Sequence, residues 1–217
     1  MQFNTPTGAI EFVAQQLTVA GWTGRSREAV DHHIQELADI GIAPPSSVPL
    51  YYRCSTQLLT QDAEIAMLGP DTSGEAEPLL VRANGKTWLG LASDQTDRAL
   101  EAHSVAHSKQ VCPKPVADTL WDFDAISDHL DQIELASWIF EDGEWKQYQK
   151  GSLAMILPLS ELLAGSGLAE GGAMLCGTLP AIGGVRPAAQ FKMAMHDPVT
   201  GETIEAQYTT QTLPVVS

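Results

Sequence analysis

The sequence predicts an α+β domain, mainly antiparallel β with a few short helices. Three observations carry this expectation. Short strand-like runs outnumber segments with helical periodicity. Three pairs of such runs flank turn signals, at Asn84-Gly85, at Glu141-Asp142-Gly143-Glu144 and at Asp197-Pro198-Val199-Thr200-Gly201. Proline and glycine cut most of the remaining stretches short. Hairpins in series favour a rolled sheet over a doubly wound one. At 217 residues the chain is expected to form a single domain spanning 1–217.

Each element has a local cause. Residues 9–20 read as a first strand or hairpin arm, closed by Gly21 and Gly24. The clearest helix covers about 26–41: Ser26 can cap it, Val30, Ile34 and Leu37 recur at the helical period, and Gly41 suits the C′ position. Pro44-Pro45 stops it, so it stands between glycine-rich and proline-rich segments as a candidate mobile lid. Val48 to Arg53 and Ala63 to Leu68 are short strands, the second halted by Gly69-Pro70. Residues 75–83 and 86–91 form the first hairpin, and 95–107 reads as a helix. Residues 130–140 and 145–149 form the second hairpin. A short helix follows Pro158 over 159–164, then a buried-looking strand over 172–177 and a Gly- and Pro-rich loop to Pro187. Residues 190–196 and 203–210 alternate apolar with polar and form the third hairpin.

Composition excludes several classes of function. Twelve Lys and Arg against 27 Asp and Glu give a net charge of −15, which would repel a phosphate backbone or an anionic lipid surface. No nucleic-acid or membrane partner is expected, and no apolar run approaches the ~20 residues that span a bilayer. The opening MQFNTPTGAI lacks the basic and apolar regions of a secretory signal, and Cys54, Cys112 and Cys176 are odd in number and widely spaced. The expectation is a cytoplasmic protein with reduced thiols.

Carboxylates carry the clearest chemistry. Glu75 and Glu77, two apart in a strand-like stretch, project to one face. Taken alone, such a pair also fits a solvated edge strand. The Asn84-Gly85 turn, however, returns the chain so that Asp94 arrives near their level. Three converging carboxylates form a hard-oxygen site for Mg²⁺, Mn²⁺ or Ca²⁺. Lys109, shortly beyond, could serve as a fixed charge or as an acid with a depressed pKa. His103 and His107 have the spacing of a helical zinc pair but lack the HExxH glutamate. On the first helix His33 and Glu36 are three apart, so the carboxylate could orient the imidazole as a general base. Gly177-Thr178 opens a loop whose N–H groups could bind an oxyanion. No GxGxxG, P-loop or GxSxG occurs.

In this order the candidates resemble the fumarylacetoacetate hydrolase superfamily, as a compact and divergent branch. The matching segments are His33-Ile34-Gln35-Glu36 after Gly24-Arg25, then Pro49 to Cys54, then Glu75-Ala76-Glu77, then Asp94-Gln95-Thr96-Asp97-Arg98-Ala99, then Lys109 to Pro113, and last Gly177-Thr178-Leu179-Pro180. The resemblance implies a β-rich roll with few helices, a homodimer, and Mg²⁺ or Mn²⁺ held by Glu75, Glu77 and Asp94. It implies a catalytic His33–Glu36 dyad and a substrate-facing Lys109. The departures touch the substrate rim: Arg53-Cys54 stands for Lys-Pro, Ala99 for a closing Asp, and Leu179 is inserted into Gly-Thr-Pro. Three carboxylates and one divalent ion leave a net −1, so an anionic substrate needs further cations, for which Arg25, Arg53 and Lys109 are candidates, with Thr178 at its carboxylate or oxyanion. The implied activity is metal-dependent hydrolysis of a C–C bond in a small oxo-acid or β-diketo acid such as an acylpyruvate. Decarboxylation or isomerisation of an oxo-acid, or ligand binding by a non-catalytic dimer of the same fold, are the alternatives.

Overall fold

The computed structural model describes residues 1–39 and 44–216, apart from the side chains of His33, Glu36, Leu37 and Asp39. Two sheets dominate. The first has six strands: β3 (Gln16–Gly21), β4 (Leu50–Cys54), β6 (Ala76–Ala83), β7 (Lys86–Ser93), β8 (Trp121–Asp122) and β11 (Gly172–Leu175). They lie in the order β8-β7-β6-β11-β3-β4, antiparallel except where β11 runs beside β3. The second has five strands: β5 (Glu64–Leu68), β9 (Glu134–Glu141), β10 (Glu144–Ser152), β12 (Gln190–His196) and β13 (Thr203–Leu213). Their order is β10-β9-β12-β13-β5, and only β13 and β5 pair in parallel. A hairpin of β1 (Gln2–Thr5) and β2 (Gly8–Glu11) precedes them. The expected α+β, mainly antiparallel class is the one found.

The six-stranded sheet is buried on both faces, which explains its near-continuous apolar runs. Leu80, Leu89 and Leu91 face a core shared with Leu135, Ile139, Phe191, Met193 and Ile204 of the other sheet. Leu79, Val81 and Trp88 face a second core with Phe3, Phe12 and Val19. Fully burying each such side chain stabilises the fold by about 1.5–3 kcal/mol. The five-stranded sheet buries one face, and β12 alternates accordingly.

Two turns form as their residues dictate. Asn84 and Gly85 have φ of 57° and 73°, and Asp142 and Gly143 have 53° and 85°. Two-residue turns with both φ positive match the right-handed twist of the strands they join. The third expected hairpin forms as β12 and β13.

Three boundaries differ from expectation. The run 9–20 divides into β2 and β3, and β1, unpredicted, pairs with β2. The expected helix over 95–107 divides into α2 (Arg98–Glu101) and α3 (Val105–Gln110). Asp97 caps the first, accepting from Leu100 N, and Ser104 caps the second, accepting from His107 N. Each cap offers the backbone an alternative to one continuous helix. The first three residues of 130–140 belong to a 3₁₀ segment over Asp124–Gln132. By contrast, α1 (Arg27–Asp39) starts at the predicted cap, with Ala29 N donating to Ser26 Oγ at 3.2 Å; Gly41 lies outside the described residues. A short α4 (Leu159–Ser166) follows Pro158 and ends at Gly167 with φ 63°. No helix among the described residues is long and apolar enough to cross a membrane, and all three cysteines are free thiols.

Candidate functional site

The two-residue turn between β6 and β7 sets their register, pairing Ala76 with Ser93. Glu75 therefore lies opposite Asp94, whose N–H donates to Glu75 O at 2.9 Å. Glu75 stands one residue before the strand rather than in it, and Glu77 is its second residue. One carboxylate oxygen from each of Glu75, Glu77 and Asp94 lies within 4.8 Å of the others. Oxygen ligands 2.0–2.6 Å from a common cation are at most about 4–5 Å apart, so this donor set fits a hard divalent ion. Asp94 Oδ1 is completely buried 2.9 Å from Lys114 Nζ, yet accepts no aligned hydrogen bond, which leaves it a free lone pair.

The cations around the triplet come mostly from the segment behind it. Lys109, on α3, donates a short hydrogen bond to Asp94 Oδ2. Lys114 also donates to Gln95 O at 2.5 Å and has no exposed surface. Arg98, at the start of α2, places Nη2 3.1 Å from Glu75 Oε1, and its Nη1 donates to Glu101 Oε2 at 2.8 Å. Sequence reasoning assigned no role to Arg98 or Lys114. A signal existed: of twelve basic residues, three follow Asp94 closely, at 98, 109 and 114.

Burial and these charges set the protonation states. Burial is the main influence on Glu77 and pushes its pKa well above the usual carboxylate range; Asp94 and Glu75 push the same way, while Lys109 and the Gly177 N–H pull back. Burial acts on Asp94 as well, but Lys109 and Lys114 outweigh it and hold the carboxyl below its ordinary value. For Lys109, burial favours the neutral amine, and Asp94, Glu75 and Glu77 together overcome it and raise its pKa above that of a free lysine. Without a cation among these carboxylates, Lys109 is therefore a positive charge.

The Gly177-Thr178 loop closes the other side. Gly177 N donates to Glu77 Oε2 at 2.7 Å. Its φ is 97°, and a Cβ there would lie 1.7 Å from Thr23 Oγ1, so only glycine fits. Thr178 Oγ1 donates to Ala76 O at 2.9 Å and accepts from Gln149 Nε2 at 2.6 Å. Gln149, 1% exposed, also donates to Leu179 O and accepts from Ala76 N and Ser137 Oγ. This second omission of the sequence reading ties the loop to the first residue of β6.

Two expected substrate cations are not brought to the triplet. Arg25 donates to both oxygens of Asp131 at 2.6 and 2.7 Å and through Nε to Ile156 O at 2.8 Å. Arg53 donates to Thr18 Oγ1 at 2.8 Å and Ser166 O at 3.2 Å. Strand alternation is the reason for Arg53. Its neighbour Tyr52 points the other way, with its ring centroid 5.9 Å from Lys109 Nζ. The structure also removes the zinc pair, since His103 follows α2 while His107 sits in α3 with Nδ1 2.7 Å from Ser104 Oγ. Among the described residues Glu75, Glu77 and Asp94 are the group of His, Cys, Asp and Glu side chains close enough to share an ion. The side chains of His33 and Glu36 lie outside the described residues; their backbone is in α1.

Comparisons with known proteins come to the same fold. A family model described as "Protein of unknown function (DUF2848)" matches residues 20–208. No curated protein matches. Among solved structures, Cg1458 with inhibitor is similar at TM-score 0.66 and 15% identity over 93% of this chain and 78% of that one. An uncharacterized protein from Mycobacterium abscessus is similar at TM-score 0.62 and 15% identity, over 96% and 84% of the two chains. A 2-keto-3-deoxy-D-arabinonate dehydratase complexed with magnesium and 2,5-dioxopentanoate is similar at TM-score 0.61 and 14% identity, over 92% and 74%. At these identities the likeness is one of fold.

Proposed function

We propose a function on the premise that this chain belongs to the DUF2848 family of proteins of unknown function: it is a divalent-metal-dependent enzyme acting on a small anionic oxo-acid. The carrying observation is the meeting of Glu75, Glu77 and Asp94 beside the buried ammonium of Lys109. We read the chain as a divergent relative of the fumarylacetoacetate hydrolase superfamily, a single-domain homodimer. The similar dehydratase, described with magnesium and an oxo-acid, supports the metal and the substrate class.

Glu75, Glu77 and Asp94 would hold Mg²⁺ or Mn²⁺, with Ca²⁺ able to substitute in crystals. Such an ion is a Lewis acid toward adjacent carboxylate and keto oxygens. Lys109 keeps Asp94 ionised and adds a fixed positive charge beside the substrate's anionic head. Thr178, held by Ala76 and Gln149, presents the loop that faces the substrate carboxylate or its developing oxyanion. In the finer reading His33, oriented by Glu36, takes a proton from water for cleavage of a C–C bond in an acylpyruvate-like substrate. A dehydratase, decarboxylase or isomerase that needs no such base is the second reading, favoured by the activity named for the similar structure.

Metal-stripped protein is expected to melt higher on adding Mg²⁺ or Mn²⁺. At a hundred times Kd the gain is about 2.7 kcal/mol, or roughly 5–10 °C for a chain this size. Glu75→Ala, the least buried of the three ligands, should lack the rise. A wild type that does not respond overturns the metal reading.

Turnover of acylpyruvates and of oxaloacetate separates the reactions. His33→Ala should lower hydrolysis by about 10²–10⁴ and leave decarboxylation intact. Unchanged hydrolysis would remove the dyad from the chemistry, and metal binding without any turnover would leave a binding protein.

A further inference from the structure

Lys114 is a second buried ammonium on a carboxylate that already has one. Its Nζ lies 2.9 Å from Asp94 Oδ1 and 2.5 Å from Gln95 O, and the residue has no exposed surface. The short strand Lys114–Pro115, paired in parallel with Leu59–Thr60, fixes its backbone behind Asp94. A lysine placed this way cannot swing into solvent when a cation arrives.

Its presence changes the charge balance of a loaded site. Four carboxylates, Glu75, Glu77, Asp94 and Glu101, meet three cations, Arg98, Lys109 and Lys114. A divalent ion added to this set leaves one positive charge in excess, around a centre in which Glu77, Asp94, Lys109 and Lys114 are buried and only Glu75, Arg98 and Glu101 keep partial exposure. Uncompensated charge in such a place is costly. An anion with adjacent carboxylate and keto oxygens would cancel the excess. Without Lys114 the loaded site is neutral and the bare cation sits there unopposed.

We propose that the cation and the anionic oxo-acid bind as a pair, and that Lys114 is the positioning residue that couples them. This rests on the metal-dependent reading above. Because coupling between two ligands is reciprocal, each tightens the other by the same factor.

Mn²⁺ binding to metal-stripped full-length protein tests it, measured by electron paramagnetic resonance of free Mn²⁺ with and without oxalate at matched free Mn²⁺. Oxalate should tighten Mn²⁺ by roughly tenfold or more in the wild type. Lys114→Met should bind Mn²⁺ alone roughly tenfold tighter than wild type while losing most of the coupling, and Lys114→Arg should restore it. A purely structural lysine would lower stability without tightening the metal. Wild type that binds Mn²⁺ with no effect of oxalate overturns the pairing, and does so even if the methionine variant does not fold. A methionine variant with wild-type affinity and coupling overturns the role of Lys114. Wild type that binds no Mn²⁺ at all overturns the metal reading instead.

Discussion

Gln149→Leu is expected to destabilise the protein by about 4–6 kcal/mol. The side chain makes four hydrogen bonds in a buried position, to Ala76 N, Ser137 Oγ, Thr178 Oγ1 and Leu179 O. The three buried partners left without a bond cost about 1–3 kcal/mol each, and mid-range values sum to about 4–6 kcal/mol. Thr178 keeps its bond to Ala76 O, so that group is spared. Leucine matches the volume, so the loss isolates the polar contacts from a cavity effect. The site should suffer as well, since Gln149 holds the Thr178 loop against the residue between Glu75 and Glu77. Urea unfolding measures the first effect, and the melting response to Mg²⁺ measures the second. A loss below about 1.5 kcal/mol would show that water or repacking replaces the network.

Glu77→Gln is expected to act in opposite directions on stability and on metal binding. Burial, Asp94 and Glu75 raise the Glu77 pKa in the folded state. A carboxyl that holds its proton more tightly when folded opposes folding once it must ionise. Its cost is absent below the unfolded carboxylate pKa and grows as pH rises toward the folded value. The amide removes that cost and can still accept from Gly177 N. The metal-free variant should therefore melt above wild type at pH 7–8, where each 1 kcal/mol reads as roughly 2–4 °C. The difference should shrink toward zero near pH 4. The variant should also lose the melting response to Mg²⁺ and Mn²⁺, because a neutral amide is a poor ligand for a hard cation. A variant less stable than wild type at pH 8, or one that keeps the full metal response, would contradict this account of Glu77.

Local chemistry explains what was legible. Asn84-Gly85 and Asp142-Gly143 adopt positive φ because their own side chains tolerate it, so both hairpins could be placed without knowing their surroundings. The meeting of Glu75 and Asp94 follows from the first of those turns, since a two-residue connection leaves one register for the strands beside it. The acidic triplet was therefore a short-range inference, although its members are 19 positions apart. The cap on α1 was equally local.

Gln149 shows where this logic stops. Alternation would send Tyr148 and Gln149 to opposite faces of their strand, yet both are buried. The register between β9 and β10 shifts between Ser137 and Trp138, and this bulge turns two consecutive residues inward. Nothing in the neighbouring sequence announces it. Arg25 and Arg53 illustrate the same limit. Which carboxylate or carbonyl a guanidinium meets depends on residues such as Asp131 and Ser166, more than a hundred positions away.

The sequence by itself determined the class of fold, the turns and the carboxylates that face one another across a hairpin, because each depends on a few neighbouring residues and the period of a strand. Only the tertiary structure decided which cations neutralise them. Lys114 and Arg98 lie against the carboxylates, while Arg25 meets Asp131 and Arg53 meets Thr18 and Ser166, because a charge is held by whatever partner the packing of distant elements brings within about 3 Å.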